Sequence, residues 1–348
     1  MHEEGKSAGI GPDTTHMNYS RATFESEFAA IRNGDMRQWL SKCVGTPVFA
    51  LVNVARCDAP ALATLCQDFG LEMLSLFDNT PEEDHASTGP HLIAMPQHCS
   101  AELLDGLALQ CAVKDALSLI ASFQPVYRLV AHLQSWFNGV LDGKTDVLVR
   151  YFDPRIGFDL MALLPAVERH AFLEPLQFWA GWKADFSPIV MPGSATRAAA
   201  ARAQPLPISK EMAMALGHIN TADLILGLIT EEDLDGGELD PIAPALQRHI
   251  AQRQLAQVHA VGLSAWADQR FWVGMGLRIN AMLGDVETGR AWLSKAKQDR
   301  VPLSTLLIHE PEELWARAKA RAPQALGEVA QKFLTSLKAQ PRGLAMTP

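Results

Sequence analysis

Val147–Arg155 reads VLVRYFDPR, and the fold turns on how this stretch is read. Its apolar, β-branched start predicts a buried strand that carries Arg150 and Tyr151 outward. Asp153-Pro154 stops the strand. Aspartate is a good helix N-cap, and proline suits the first helical position, where its missing N–H costs nothing. Apolar residues then return at helical spacing as Ile156, Leu160, Leu163 and Leu164. One strand–helix junction therefore gathers two arginines, a tyrosine and an aspartate.

Upstream, PVFALVNVA (47–55) is a continuous, valine-rich apolar run, the pattern of a buried strand with helices on one or both faces. Asp58 N-caps a short helix over Ala59 to Phe69, and Gly70 stops it. LEMLSLFD (71–78), HLIAMP (91–96) and DALSLIAS (115–122) are further strands, and Ala101 to Leu109 is helical. Pro125 to Leu141 reads as an amphipathic helix through Val126, Leu129, Val130, Leu133 and Phe137. Phe24 to Leu40 is a helix with a break at Asn33-Gly34. After the junction, Pro165 starts another helix, and Phe172, Leu176, Phe178, Trp179 and Trp182 give a dense aromatic finish. Strands alternating with helices predict an α/β N-terminal lobe, a mixed sheet flanked by helices.

PIVMPGSATRAAAARAQPLP (188–207) is rich in Pro, Gly, Ser and Ala and reads as a linker. Beyond it every segment carries helical periodicity, so an all-α C-terminal lobe is expected. The organisation is a flexible tail over 1–22, an α/β domain over 23–187, a linker over 188–207 and a helical lobe over 208–340.

The 348 residues carry 39 acidic and 30 basic side chains, a net charge of −9. That balance lacks the concentrated basic face of a nucleic-acid binder. No apolar run reaches the roughly 20 residues of a membrane span, and the polar N-terminus has no apolar core of a signal peptide. Five cysteines without a CxxC pair read as reduced thiols of a cytoplasmic protein, with no zinc site.

Catalytic signatures fail one by one. Gly262-Leu263-Ser264 opens like a nucleophile elbow, but Trp266 stands where the second glycine is needed. Gly274-Met275-Gly276 lies inside a helical pattern and follows no strand, so it binds no dinucleotide. Asp233 and Asp235 resemble the start of a calcium loop, but Gly237 and Glu238 break it. His91 reads as a core or edge histidine, and Phe271-Trp272 as core. His98-Cys99 has no second pair nearby in sequence. The reading is a non-enzyme with no cofactor and no metal. A hydrolase site assembled from dispersed His, Asp and Ser is the alternative. At the junction, Arg150 and Arg155 either pair with Asp153 and lock strand to helix, or join Tyr151 in a patch for a partner; arginine and tyrosine are frequent interface hot spots.

RYFDPR (150–155), followed by LMALLP (160–165), resembles the segment that marks the adaptor chaperones of bacterial type VI secretion. FALVNVA (49–55), LSLFDNTPEE (74–83), GPHLIAMP (89–96) and LEPLQFWAGW (173–182) resemble other blocks of that family in order and spacing. Asn53-Val54 replaces a usual Asp-Gly, and His91 a usual aromatic. The resemblance spans about residues 45–185. It implies a bacterial cytoplasmic adaptor whose partners are one cognate toxic effector and the spike protein of the secretion apparatus. Arg150, Tyr151, Asp153 and Arg155 are then the family signature and the candidate partner-binding residues. A structural component of the secretion machine is a further alternative.

Overall fold

The computed structural model describes residues 19–195, 202–232, 239–279, 283, 287–308, 310 and 312–340. Most of the expected tail and the aspartates of the failed calcium loop lie outside the described residues. Helix α1 (Arg21–Leu40) opens within the last two positions assigned to the tail, with Ser20 Oγ accepting from the Thr23 N–H. It runs unbroken through Asn33-Gly34. Asn33 is buried there, donates to Asp105 and accepts from Arg37 Nε at 2.8 Å, so tertiary partners override the local break signal.

The centre is β1 (Val48–Asn53), buried at all six positions. Val48, Ala50 and Val52 enter one core, while Phe49 and Leu51 enter another on the opposite face. This two-sided burial is why the run reads as uninterrupted rather than alternating. Around it lie α2 (Ala59–Asp68), capped by Asp58, then β2 (Met73–Ser75), β3 (Pro90–Ala94), α3 (Ala101–Gln110) and β4 (Leu117–Ala121). The main sheet has the order β2-β3-β1-β4-β7-β8, where β7 is Phe178–Trp182 and β8 is Pro188–Pro192, and every neighbouring pair is antiparallel.

Two of these strands depart from expectation. The aromatic finish is β7, with Phe178, Ala180 and Trp182 facing one core and Trp179 the other. Large side chains on both faces conceal the period of two. β8 falls inside the stretch expected as linker; its prolines sit at the ends of an edge strand, where a missing N–H is tolerated.

A second sheet, β6-β5-β9, covers one face: β5 (Asn138–Leu141), β6 (Thr145–Leu148) and β9 (Leu206–Ile208). β5 and β6 are antiparallel and β5 and β9 parallel, which supplies the mixed pairing. Helix α4 is therefore Val126–Gln134 and stops seven residues before the expected Leu141, because the following chain pairs as β5. Gly139 permits this packing, since a Cβ there would come 2.6 Å from Val149 Cγ2. Helices α5 (Pro154–Leu163) and α6 (Ala166–Leu173) complete this layer.

The rest is helical: α7 (Lys210–Ile219), α8 (Thr221–Glu232), α9 (Pro244–Ala260), α10 (Trp266–Arg278), α11 (Glu287–Asp299), α12 (Leu303–Leu307) and α13 (Glu312–Ala339). Helices α8, α9 and α13 share the core of α1, α3 and the inner face of the sheet. Helices α10 to α12 close a smaller core around Trp272 and Trp292. Among the described residues no single helix is long and apolar enough to cross a membrane; α7 and α8 together reach that length but meet at a bend of 61°.

Helices α9 and α13 meet where His249 stacks on Phe333, centroids 4.1 Å apart. Burial, with a smaller push from Arg253, lowers this imidazole to about 4. The unfolded chain takes up the proton near pH 6.5 and the folded chain only near pH 4, so stability falls as pH drops through that window. His249→Phe should flatten this part of the dependence. Unfolding free energies from denaturant titration at pH 7 and pH 5 should differ less than in wild type, by on the order of 1–2 kcal/mol.

Candidate functional site

The junction begins where β6 ends, at Leu148. β6 is mostly exposed rather than buried, a correction to the expected buried strand VLVRYF. Exposure still alternates past its end, with Leu148 and Arg150 exposed and Val149 and Tyr151 buried, so Arg150 and Tyr151 fall on opposite sides. Tyr151, expected outward, is fully buried. Its ring stacks on Phe137 at 5.6 Å and its Oη donates to the Leu133 carbonyl at 2.8 Å. Burial pushes the phenol well above its ordinary value. Glycine at 157 makes room for this placement, since a Cβ there would stand 1.9 Å from the Tyr151 carbonyl oxygen.

Asp153 is the N-cap of α5, as expected, with Pro154 in the first turn. Its Oδ1 accepts from the Arg155 N–H at 3.2 Å and from Arg155 Nε at 3.0 Å. Its Oδ2 accepts from Arg155 Nη2 at 2.7 Å and Arg150 Nη2 at 2.8 Å. The carboxylate is completely buried, whereas the Arg150 side chain is 46% exposed. Of the four junction residues, Arg150 alone presents itself substantially to solvent.

The pairing continues inward. Arg155 Nη1 donates to Asp223 Oδ1 on α8 at 2.9 Å. Asp223 Oδ2 lies 3.3 Å from Arg248 Nε on α9, and Arg248 Nη1 donates to Asp115 Oδ2 at 2.6 Å. Asp115, in a left-handed conformation at φ 50 just before β4, is also 3.6 Å from Arg32 Nη2 on α1. Arg32 lies between the rings of Phe28 and Trp182, 4.5 and 4.4 Å from their centroids. Seven charged groups thus alternate from Arg150 to Arg32, linking α5, α8, α9, the β4 entry and α1.

Electrostatics follow from this order. Burial alone would raise the Asp153 carboxyl, but the hydrogen bonds and charge of Arg155, with Arg56 and Arg150, hold it below the ordinary value. Burial would likewise lower Arg155, yet Asp153 and Asp223 hold it more firmly protonated than usual. Deep in the chain, burial prevails over Asp115 and Asp35 and lowers Arg32 to about 10. Chemically the arrangement fixes charges against one another; the Asp153 carboxylate is engaged on both oxygens. Among the described residues no group of three or more His, Cys, Asp or Glu could hold a metal ion.

The other flagged residues lie apart from it. His91 is buried in β3 with Nδ1 3.1 Å from the Gly89 carbonyl oxygen. Cys99 donates through sulfur to the Pro96 carbonyl, and all five cysteines are free. Arg32, Asp115, Asp223 and Arg248 were not singled out from the sequence. The available signal was isolated charge at positions otherwise facing a core, and their pairing partners are 68 and 133 residues apart for Arg155–Asp223 and Asp115–Arg248.

Residues 48–171 match the family described as Domain of unknown function (DUF4123). The match runs from β1 into α6, about a third of the chain, and includes the whole junction. Comparison with curated proteins found no match. Comparison with solved structures found none either.

Removing one member of a buried ion network leaves its partners charged and unpaired, at a cost on the order of 3–5 kcal/mol. Arg155→Ala should therefore lower the melting temperature by several degrees. Arg150→Ala, at a half-exposed position, should change stability by less than about 1 kcal/mol. Thermal and denaturant unfolding of the two variants check this, and equal stability of Arg155→Ala and wild type would refute it. Tyr151→Phe, which leaves the buried Leu133 carbonyl without its hydroxyl donor, should cost about 1 kcal/mol in the same assay.

Proposed function

We propose that this chain is a non-enzymatic adaptor that binds one type VI secretion effector in the bacterial cytoplasm and helps load it onto the spike protein. The observation that carries the reading is the family match over residues 48–171, a family associated with effector loading. The sequence blocks that resemble the adaptor chaperones support it, because they fall on the elements that build the sheet. FALVNVA lies on β1, LSLFDNTPEE on β2 and its turn, GPHLIAMP on β3 and LEPLQFWAGW on the approach to and length of β7.

An adaptor has to hold cargo and release it, which suits an interface of moderate area and partly polar character. Asp153, Arg155 and Tyr151 are taken up by internal contacts, so their part in such a function is to keep the binding surface in shape. Direct contact falls to residues outside the buried chain of charges, with Arg150 the one junction residue placed to join them.

The test is co-production with the protein encoded beside this chain, followed by affinity capture and a secretion assay in a strain lacking the chain. The reading expects a complex of the two proteins, and lower effector level and export in the deletion strain. Full effector stability and export without the chain would contradict it. Stoichiometric presence of the chain in purified secretion particles would point instead to a structural component.

A further inference from the structure

β6 is the outer strand of the small sheet. Its register sets Val147 opposite Gly139, and the Val149 N–H donates to the Phe137 carbonyl at 2.8 Å. Hydrogen-bonded and non-hydrogen-bonded pairs alternate along an antiparallel ladder. The backbone N–H and C=O groups of Asp146 and Leu148 therefore face away from β5, and among the described residues nothing pairs with them.

The other sheet edges are poor templates. β2 has three residues, β8 carries proline at both ends, and β9 has proline at its centre. A short strand offers few hydrogen bonds and proline removes a ladder donor. β6 has no proline. Thr145, Asp146 and Leu148 are exposed, and the exposed Arg150 follows Leu148 by two residues; Asp146, Leu148 and Arg150 share one parity along the chain. With the two-residue period of an extended chain, these make an acidic, apolar, basic strip along one side. Beside the strip opens a recess of about 450 Å³ bordered by Pro81, Glu82, Asn138, Asp146 and Leu148. Its two carboxylates make it acidic, and Glu82 Oε2 has no hydrogen-bond partner.

We propose that β6 is a docking edge at which an extended segment of the protein cargo adds as a further strand. Main-chain hydrogen bonds to Asp146 and Leu148 supply the attachment, as in other cases of strand addition. The added strand runs antiparallel, the more stable pairing per residue. From its N-terminal side it carries an acidic residue opposite Arg150, an apolar one opposite Leu148 and a basic one opposite Asp146, beside the Glu82 recess. The identity of the partner as cargo rests on the adaptor reading; the strand geometry rests on the edge itself.

The experiment uses the full chain and the protein encoded beside it, with Leu148→Pro and Glu82→Lys as variants. Leu148→Pro deletes one outward N–H and leaves the hydrogen bonds of Val147 and Val149 to β5. Both variants should lose affinity tenfold or more at an unchanged melting temperature. In the wild-type complex, hydrogen–deuterium exchange at the amides of Asp146 and Leu148 should slow relative to the free chain. If Leu148→Pro folds poorly, the exchange measurement and Glu82→Lys decide. Capture by wild type with no slowing at these two amides, and undiminished capture by Glu82→Lys, would overturn strand docking while the adaptor reading stands. No capture by wild type would overturn both.

Discussion

The ion pair between Arg155 and Asp223 is the contact on which the rest of the structure depends. Arg155 grips the helix-capping carboxylate of Asp153 with one edge of its guanidinium and reaches α8 with the other. Arginine alone among the basic residues offers a planar fork that can serve two carboxylates at once. Through Asp223 and Arg248 the same chain of charges reaches Asp115 and Arg32, so the first turn of α5 is tied to α1 on the far side of the sheet. Buried ions are costly to desolvate, and an apolar core of equal volume would hold the helices at least as tightly. What the alternating charges add is position: in this arrangement of α1, α5, α8 and α9 each ion lies against a counter-ion on another element or turn.

That constraint bears on function through shape. The elements matching the DUF4123 family, from β1 to α6, do not end in a free surface. Helices α8, α9 and α13 continue their core on the face opposite the small sheet. A protein that holds a partner benefits when its binding surface is already in place, because less ordering entropy is lost on association. The proposed docking edge β6 ends two residues before Arg150, on the face of the main sheet whose core α7 joins through Met212 and Leu216.

Much of this was legible in the sequence where the deciding forces are local. β1 was readable because a strand buried on both faces needs an unbroken apolar run. The start of α5 was readable because Asp153 and Pro154 satisfy the helix terminus by themselves. Features set by distant partners were not. Helix α4 and the following Trp136-Phe137 keep a helical spacing, yet pairing of β5 with β6 and β9 ends the helix at Gln134. The aromatic residues of β7 pack on both sides, so no alternation shows. Tyr151 was placed outward together with Arg150, although exposure alternates from Leu148 onward and puts its ring inside. The RYFDPR segment was visible as a motif, but its place in the ion chain was not, because Asp223 lies 68 residues from Arg155 and nothing beside it in sequence marks it as a partner.

The central claim is that one chain of buried charges joins the α/β sheet and the C-terminal helices into a single cooperative unit. Native-state hydrogen exchange of Asp223→Asn against wild type tests it most directly. The account predicts that amides of α5, α8 and α9 lose protection together, by similar factors, although only α8 carries the substitution. Loss confined to α8, with α5 and α9 exchanging as in wild type, would contradict it.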